Sequence, residues 1–530
     1  MDGVIARGVP VHRQYVVPVA LFILVCMSCV PLFVAPVPPL VDYPNHLARL
    51  WLIAGGAAEP PLNAFYVVDW ARASTNIGVD LLALVLAPTI GVEAVGRLAV
   101  AFALLMPIAG ALALGRIVAG AWHLGLLPIP VLAWNINFAA GFLNQQIAIG
   151  AALLTAAALA ATQPRLLVRT VVVTVAGAAI FVIHLAGAAA LAGLAGALAF
   201  GERYPTCRLS WLRALRRACL GAAPIVLAVA ALMHIAESPP GVAGEGTTNF
   251  VFWTWQAKAK VLVPLLPFLV YAVAEGVALA LVLVLLATAM ARAGRLVQHA
   301  GLALLAGVLI VAAVILPSSI GDTTQIEFRC AWLSLICLLA ALRPGPWPMS
   351  RAIAGAAAML VAVGTAKAVW KADIWRRGAA EIAAVDRAVS RLPVGSILLP
   401  VSAGAEGNKD RPRGMRLAID WPLHMHLGHR AVNLRGAFVP GLFSTAGKQP
   451  VRVLEPWRAW SVAFDQPPSV TELRAARDGR DWRGVFTHLL LLDADGVPTN
   501  ALPEGLEALA DEGFARLYRV IAPLELRPIR

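Results

Sequence analysis

The sequence predicts a polytopic α-helical membrane protein of about 11 spans carrying a small C-terminal extracytoplasmic α/β domain. Of its 530 residues, 59% are apolar or aromatic, only 14% are charged, and the mean hydropathy is +0.76, which a soluble globular chain does not show. Apolar runs of membrane length recur as far as residue 370. Beyond it the composition turns polar for 160 residues with no further such run, enough for a domain with its own core. Residues 1–370 therefore read as a transmembrane domain that includes a first outer loop at 38–97, and residues 371–530 as an extracytoplasmic α/β domain.

The apolar runs lie near 15–37, 98–115, 123–139, 145–161, 168–183, 185–200, 218–236, 262–290, 300–317, 328–342 and 352–370. The first follows Arg7 and Arg13 and ends in prolines, so it reads as a retained span rather than a cleaved leader. Residues 77–90 are apolar but short and carry Asp80, which fits either a twelfth span or a helix lying in the interface. Charge favours eleven. With the N-terminus inside, the inner segments hold Arg116, Arg165, Arg169 and the Arg-rich stretch 201–217, while the longer outer loops hold Arg49, Arg72, Arg97, Lys258, Lys260 and Arg329. This places the chain in the inner membrane with the C-terminal domain outside. The net charge of +13 is thus a topology signal, and a nucleic-acid partner is excluded.

The C-terminal region reads as a helix near 375–391, strands at 396–401 and 487–492, a helix near 501–512 and a closing strand at 514–520. All six cysteines lie in or beside apolar segments, so neither a disulfide framework nor a zinc knuckle is expected. The run His424-Met425-His426-Leu427-Gly428-His429 has no carboxylate or cysteine beside it, and no metal site is assigned there. No GxSxG, P-loop or HExxH occurs.

Polar groups at membrane depth are costly unless they face a cavity or one another. Asp42 stands just after the first span, followed by Pro44, Asn45, His46 and Arg49; it is either a helix cap or a reactive carboxylate. Asn135, Asn137, Asn144, Gln145 and Gln146 cluster at a bend between two apolar runs and bind either each other or a polar ligand. His184 separates two short spans. Asp322, Glu327 and Arg329 stand around the start of the run at 328, and Arg329 either pairs with Glu327 or holds a lipid phosphate. One topology puts all of these on the outer face, where a shared cavity accounts for them. Glu275 falls within a span and receives no role.

A first span followed by an outer loop with an early Asp, the strings Asp42-Tyr43-Pro44-Asn45-His46-Leu47-Ala48-Arg49 and Gly141-Phe142-Leu143-Asn144, the Gly91–Arg97 stretch, many spans and an outer C-terminal domain together resemble bacterial membrane glycosyltransferases of the GT-C superfamily. The resemblance implies a polyprenyl-phosphate-linked sugar as donor, drawn from the membrane lipids, and an extracytoplasmic glycan, lipid or protein as acceptor. Asp42 takes the place of the catalytic acid of the first loop, and His46, Arg49, Asn135, Asn137, Asn144, His184, Lys258 and Arg329 are the candidate substrate contacts. Many members carry two adjacent acids in that loop, whereas here Tyr43-Pro44 follows Asp42. No cofactor is demanded, and a divalent cation stays open. The alternative class is a non-catalytic transporter, or a scaffold that binds lipid-linked glycan in the same cavity.

Overall fold

The structure, a computed structural model, describes residues 12–163, 165–236, 250–252, 270–292, 296–320, 323–344, 351–404, 413–474 and 481–521. Among the described residues five helices are long and apolar enough to cross a membrane, and the chain is a multi-pass membrane protein. In order, the first ten helices are α1 (His12–Cys29), α2 (Tyr43–Ile53), α3 (Gly78–Ile90), α4 (Val92–Ala119), α5 (Pro128–Leu132), α6 (Ile136–Ala140), α7 (Leu143–Thr162), α8 (Leu166–Ile183), α9 (Leu185–Phe200) and α10 (Arg208–Ile235). Four more apolar-rich helices follow at Val273–Arg292, Ala300–Ile315, Ile326–Ala341 and Arg351–Ser390.

Burial sorts the spans into a centre and a rim. The apolar windows of α4 and α7 are each 56% buried, that of α10 only 6%, so α10 turns its side chains to lipid while α4 and α7 form the middle of the bundle. Their backbones approach closely because glycine stands at the contact: a Cβ on Gly150 would lie 2.5 Å from Met106 Cβ, and one on Gly110 2.6 Å from Leu153 Cβ.

Three expectations need correction. The run 123–139 is not one continuous helix but a 3-10 turn and the two short helices α5 and α6, α5 opening on Pro128 and α6 set off from it by the extended Asn135. Carbonyls at this broken depth are used by neighbours: Pro130 accepts from Ser28 Oγ at 3.1 Å, Leu132 from Trp332 Nε1 at 3.2 Å, and Ser28 in turn from Trp134 Nε1 at 3.0 Å. The last apolar run belongs to a 40-residue helix, about 60 Å long, that continues unbroken through residue 370. The helix expected near 501–512 is instead a strand at Leu506–Asp511; Gly505 at φ +80° ends the preceding turn, and pairing with the next strand overrides the helix-forming composition. Of the 262–290 run, only residues from 270 on are described, and they form the helix from Val273.

Strands are β1 (Tyr66–Val68), β2 (Phe250–Val251), β3 (Leu296–Gln298), β4 (Ser319–Ile320), β5 (Leu342–Pro344), β6 (Leu398–Ser402), β7 (Val451–Val453), β8 (His488–Leu492), β9 (Leu506–Asp511) and β10 (Ala515–Val520). The C-terminal sheet runs β6-β8-β10-β9, with β6 parallel to β8 and the other pairs antiparallel. Every residue of β8 is buried, which fits its uninterrupted run of leucines.

The first loop is built into this layer. Ala48, Leu52, Phe65 and Tyr66 share one core with Val385, Leu399, Phe438 and Leu490, and β1 pairs antiparallel with β7, Tyr66 opposite Val453. Two sequence-distant segments therefore form one roof over one end of the helical bundle.

Candidate active site

Asp42 is placed by a turn of the broken helix pair. Gly141, at φ +94°, ends α6 and lets its backbone approach the loop after α1; a Cβ there would lie 3.0 Å from Asp42 Cβ. The N–H groups of Val41 and Asp42 donate to the carbonyls of Ala139 and Ala140 at 3.2 and 2.9 Å. Asp42 precedes α2, but its side chain makes no capping hydrogen bond, so the cap reading has no geometric support.

Burial pushes the Asp42 carboxyl up to about 7, against the pull of the Arg329 and Arg49 guanidinium groups. Its Oδ1 lies 3.6 Å from His426 Nε2, and the side chain keeps 14% of its surface exposed. His426 sits in the 3-10 segment Leu423–His429 of the C-terminal layer, so the carboxylate missing from the sequence neighbourhood of that histidine run arrives from the first loop. Asn45 clips the two segments together: its Nδ2 donates to the Gly441 carbonyl at 2.9 Å, and its Oδ1 accepts from Phe443 N–H at 2.9 Å. His46 bonds the Gly141 carbonyl through Nε2 at 3.1 Å, and burial holds it neutral, its pKa down to about 3.

A cationic group lies on the same end of the bundle. Arg329 donates from Nε to the Thr324 carbonyl at 2.9 Å and from Nη1 to Gln145 Oε1, and its guanidinium lies 4.1 Å from the Phe142 ring centroid. Lys448, on a C-terminal-layer loop, reaches Thr323 Oγ1 at 2.5 Å. That loop is pinned by the first loop, whose Ser74 and Thr75 N–H groups both donate to the Gly447 carbonyl. His184 lies within electrostatic reach of both cations. It also caps α9, its Nδ1 accepting from Ala186 N–H at 3.0 Å.

Other candidates spend their polar groups inside the protein. Arg49 is fully buried against Asp80, Nε to Oδ1 at 2.8 Å and Nη2 to Oδ2 at 3.2 Å. Asn135 caps α6 through Oδ1, which accepts from the N–H groups of Asn137 and Phe138 and from Gln146, while its Nδ2 donates to the Ala133 carbonyl. Asn144 ties α7 to the start of α3, accepting from Val79 N–H at 2.8 Å and donating to the Asn76 carbonyl at 2.7 Å. Arg49, Asn135 and Asn144 thus each hold hydrogen bonds inside the protein, and Arg49 Nη1 is buried without a hydrogen-bond partner among the described residues. Asn137 donates to the Phe328 carbonyl at 3.4 Å, and its Oδ1 is buried without a hydrogen-bond partner among the described residues. Lys258, Lys260 and Asp322 lie outside the described residues.

Sequence reasoning missed His426 and Lys448 as members of this end of the molecule, and it gave Asn45 no role of its own. Only His426 carried a signal, the histidine run, and its partner is too distant in sequence to be read. Among the described residues no three His, Cys, Asp or Glu side chains cluster so as to hold a metal ion; Asp42 and His426 together make two donors.

No family model matches the sequence, and no curated protein matches it. A solved structure does: the crystal structure of ArnT from Cupriavidus metallidurans in the apo state is similar over 97% of this chain and 100% of its own, with a TM-score of 0.52 at 11% identity. The fold is the GT-C fold. The coverage takes in the membrane helices and the C-terminal layer alike.

Proposed function

We propose that the protein is a membrane glycosyltransferase that moves a sugar from a polyprenyl-phosphate donor to a hydroxyl of an extracytoplasmic glycan, lipid or protein. The observation that carries this reading is the placement of a partly exposed carboxylate, Asp42, within electrostatic reach of the Arg329 guanidinium at the roofed end of a GT-C fold.

In this reading Asp42 is the general base. The acceptor oxygen forms a bond to the anomeric carbon, the bond from that carbon to the phosphate oxygen breaks, and the acceptor proton passes to the Asp42 carboxylate. The lipid phosphate leaves with an added negative charge, which Arg329 and Lys448 neutralise. A carboxyl poised near 7 suits the task, because a base works best when its pKa lies close to the working pH. The roofed end then faces the extracytoplasmic side, the orientation that the arginine distribution favours.

Purified protein in lipid nanodiscs, given a panel of undecaprenyl-phosphate-linked hexoses and pentoses with simple glycan acceptors, tests the reading through release of undecaprenyl phosphate. Release that depends on acceptor supports it. Saturable binding of the donors with no release by any acceptor favours the non-catalytic transporter or scaffold.

A further inference from the structure

His426 and Asp42 meet from opposite ends of the chain, at 3.6 Å between Nε2 and Oδ1. We infer that His426 is the positioning residue of the Asp42 carboxylate: its Nε2–H holds Oδ1, leaving Oδ2 as the oxygen that receives the acceptor proton. This rests on the reading of Asp42 as the base.

The proton on His426 is located through the Asn45 amide. Phe443 N–H donates to one end of the Asn45 amide at 2.9 Å, so that end is the oxygen; the other end donates to the Gly441 carbonyl at 2.9 Å, so it is the nitrogen. That Nδ2 also faces His426 Nδ1 at 3.4 Å and His429 Nε2 at 3.5 Å. One of its two hydrogens goes to Gly441, and the other goes to the nearer ring nitrogen, His426 Nδ1, which makes that nitrogen an acceptor and leaves the ring proton of neutral His426 on the opposite nitrogen. His429 spends its Nδ1 on the His426 carbonyl at 3.2 Å. The proton of His426 is thus on Nε2, facing Asp42.

The ring has little freedom to leave. It packs edge-on to Phe443 with centroids 5.1 Å apart and tilted against His429 at 5.5 Å, and only 5% of His426 is exposed. The titratable groups acting on it are His429 and His46, both held neutral by burial, and burial likewise keeps His426 neutral. A separation of 3.6 Å is longer than a hydrogen bond, and such contacts shorten when substrate excludes water. The arrangement is an Asp–His pair with the roles reversed from a nucleophile triad: here the imidazole orients the carboxylate. It makes the C-terminal layer a part of the site.

The test compares His426→Leu and His426→Gln in nanodiscs with an undecaprenyl-phosphate-linked hexose, reading kcat, donor KM and the pH profile. Leucine removes the donor, so kcat falls on the order of 10- to 100-fold, donor KM holds, and the acid limb moves to higher pH because ionised Asp42 has lost a hydrogen bond. Glutamine places an N–H at the Nε2 position and keeps kcat within about threefold, with the limb unmoved. A leucine variant with wild-type kcat and acid limb overturns the inference, and so does a glutamine variant as impaired as leucine. Should leucine prevent folding, the glutamine variant decides alone: a kcat within about threefold of wild type supports the inference, and any larger loss overturns it. If Asp42→Asn is inactive while His426→Leu is unimpaired, the base reading stands and the positioning role falls. An active Asp42→Asn, or no release by the wild type with any donor, removes both.

Discussion

The Arg49 guanidinium meets the Asp80 carboxylate through two hydrogen bonds of 2.8 and 3.2 Å, with neither side chain exposed to solvent. The pair joins α2 to α3 where the roof meets the bundle, so it orients the segment that carries Asp42. Removing one partner leaves a buried uncompensated charge. Arg49→Leu and Asp80→Leu are each expected to cost about 3–5 kcal/mol, and the double variant much less than the sum. Thermal unfolding in detergent measures this, and additive losses would show that the two residues act separately.

Arg329 binds through a planar fork that lysine lacks. With Nε on the Thr324 carbonyl and the guanidinium face over Phe142, Arg329→Lys keeps the charge but loses both placements. Donor KM is expected to rise about tenfold, or roughly 1.4 kcal/mol, with unfolding temperature little changed. Equal donor binding in the lysine variant would assign Arg329 to the scaffold. Lys448→Met is expected to weaken donor binding as well.

Turnover should depend on pH through Asp42. Its carboxyl is raised from 3.8 to about 7 by burial, and a base must be ionised, so kcat/KM is expected to rise with pH up to about 7 and level off above it. Linkage gives a second consequence. A folded-state pKa above the unfolded one contributes stability that is full below 3.8 and is lost as pH rises through about 7. Asp42→Asn removes that loss, so it should match the wild type in stability at pH 4 and exceed it at pH 8, as thermal unfolding at the two pH values would show.

Orientation is open to direct labelling. Arg213 is exposed on α10, and Val394 is 65% exposed on the C-terminal layer. With the six native cysteines replaced, an impermeant thiol reagent applied to intact cells is expected to label Val394→Cys and not Arg213→Cys. The reverse pattern would place the roofed end inside.

The bundle was legible because lipid-facing helices must be apolar along a membrane length, and even the division of α8 from α9 at His184 follows from a polar residue interrupting an apolar run. The roof was less so. Its mixture of first-loop and C-terminal strands depends on pairing such as Tyr66 with Val453, which no local pattern announces. Within the site, Arg49, Asn144 and Arg329 look alike in sequence, as polar residues where water is scarce, and the sequence cannot say whether the partner is protein or substrate. Structure separates them by their bonds: Asn144 is consumed by Val79 and Asn76, whereas Asp42 keeps an exposed edge.

The most direct test of the account is undecaprenyl phosphate release by Asp42→Asn beside the wild type, in nanodiscs, with donor binding measured on the same samples. Asparagine preserves the shape of the side chain and removes its basicity, so release is expected to fall by roughly two to four decades with donor binding nearly unchanged. An Asp42→Asn protein that turns over at the wild-type rate would contradict the account.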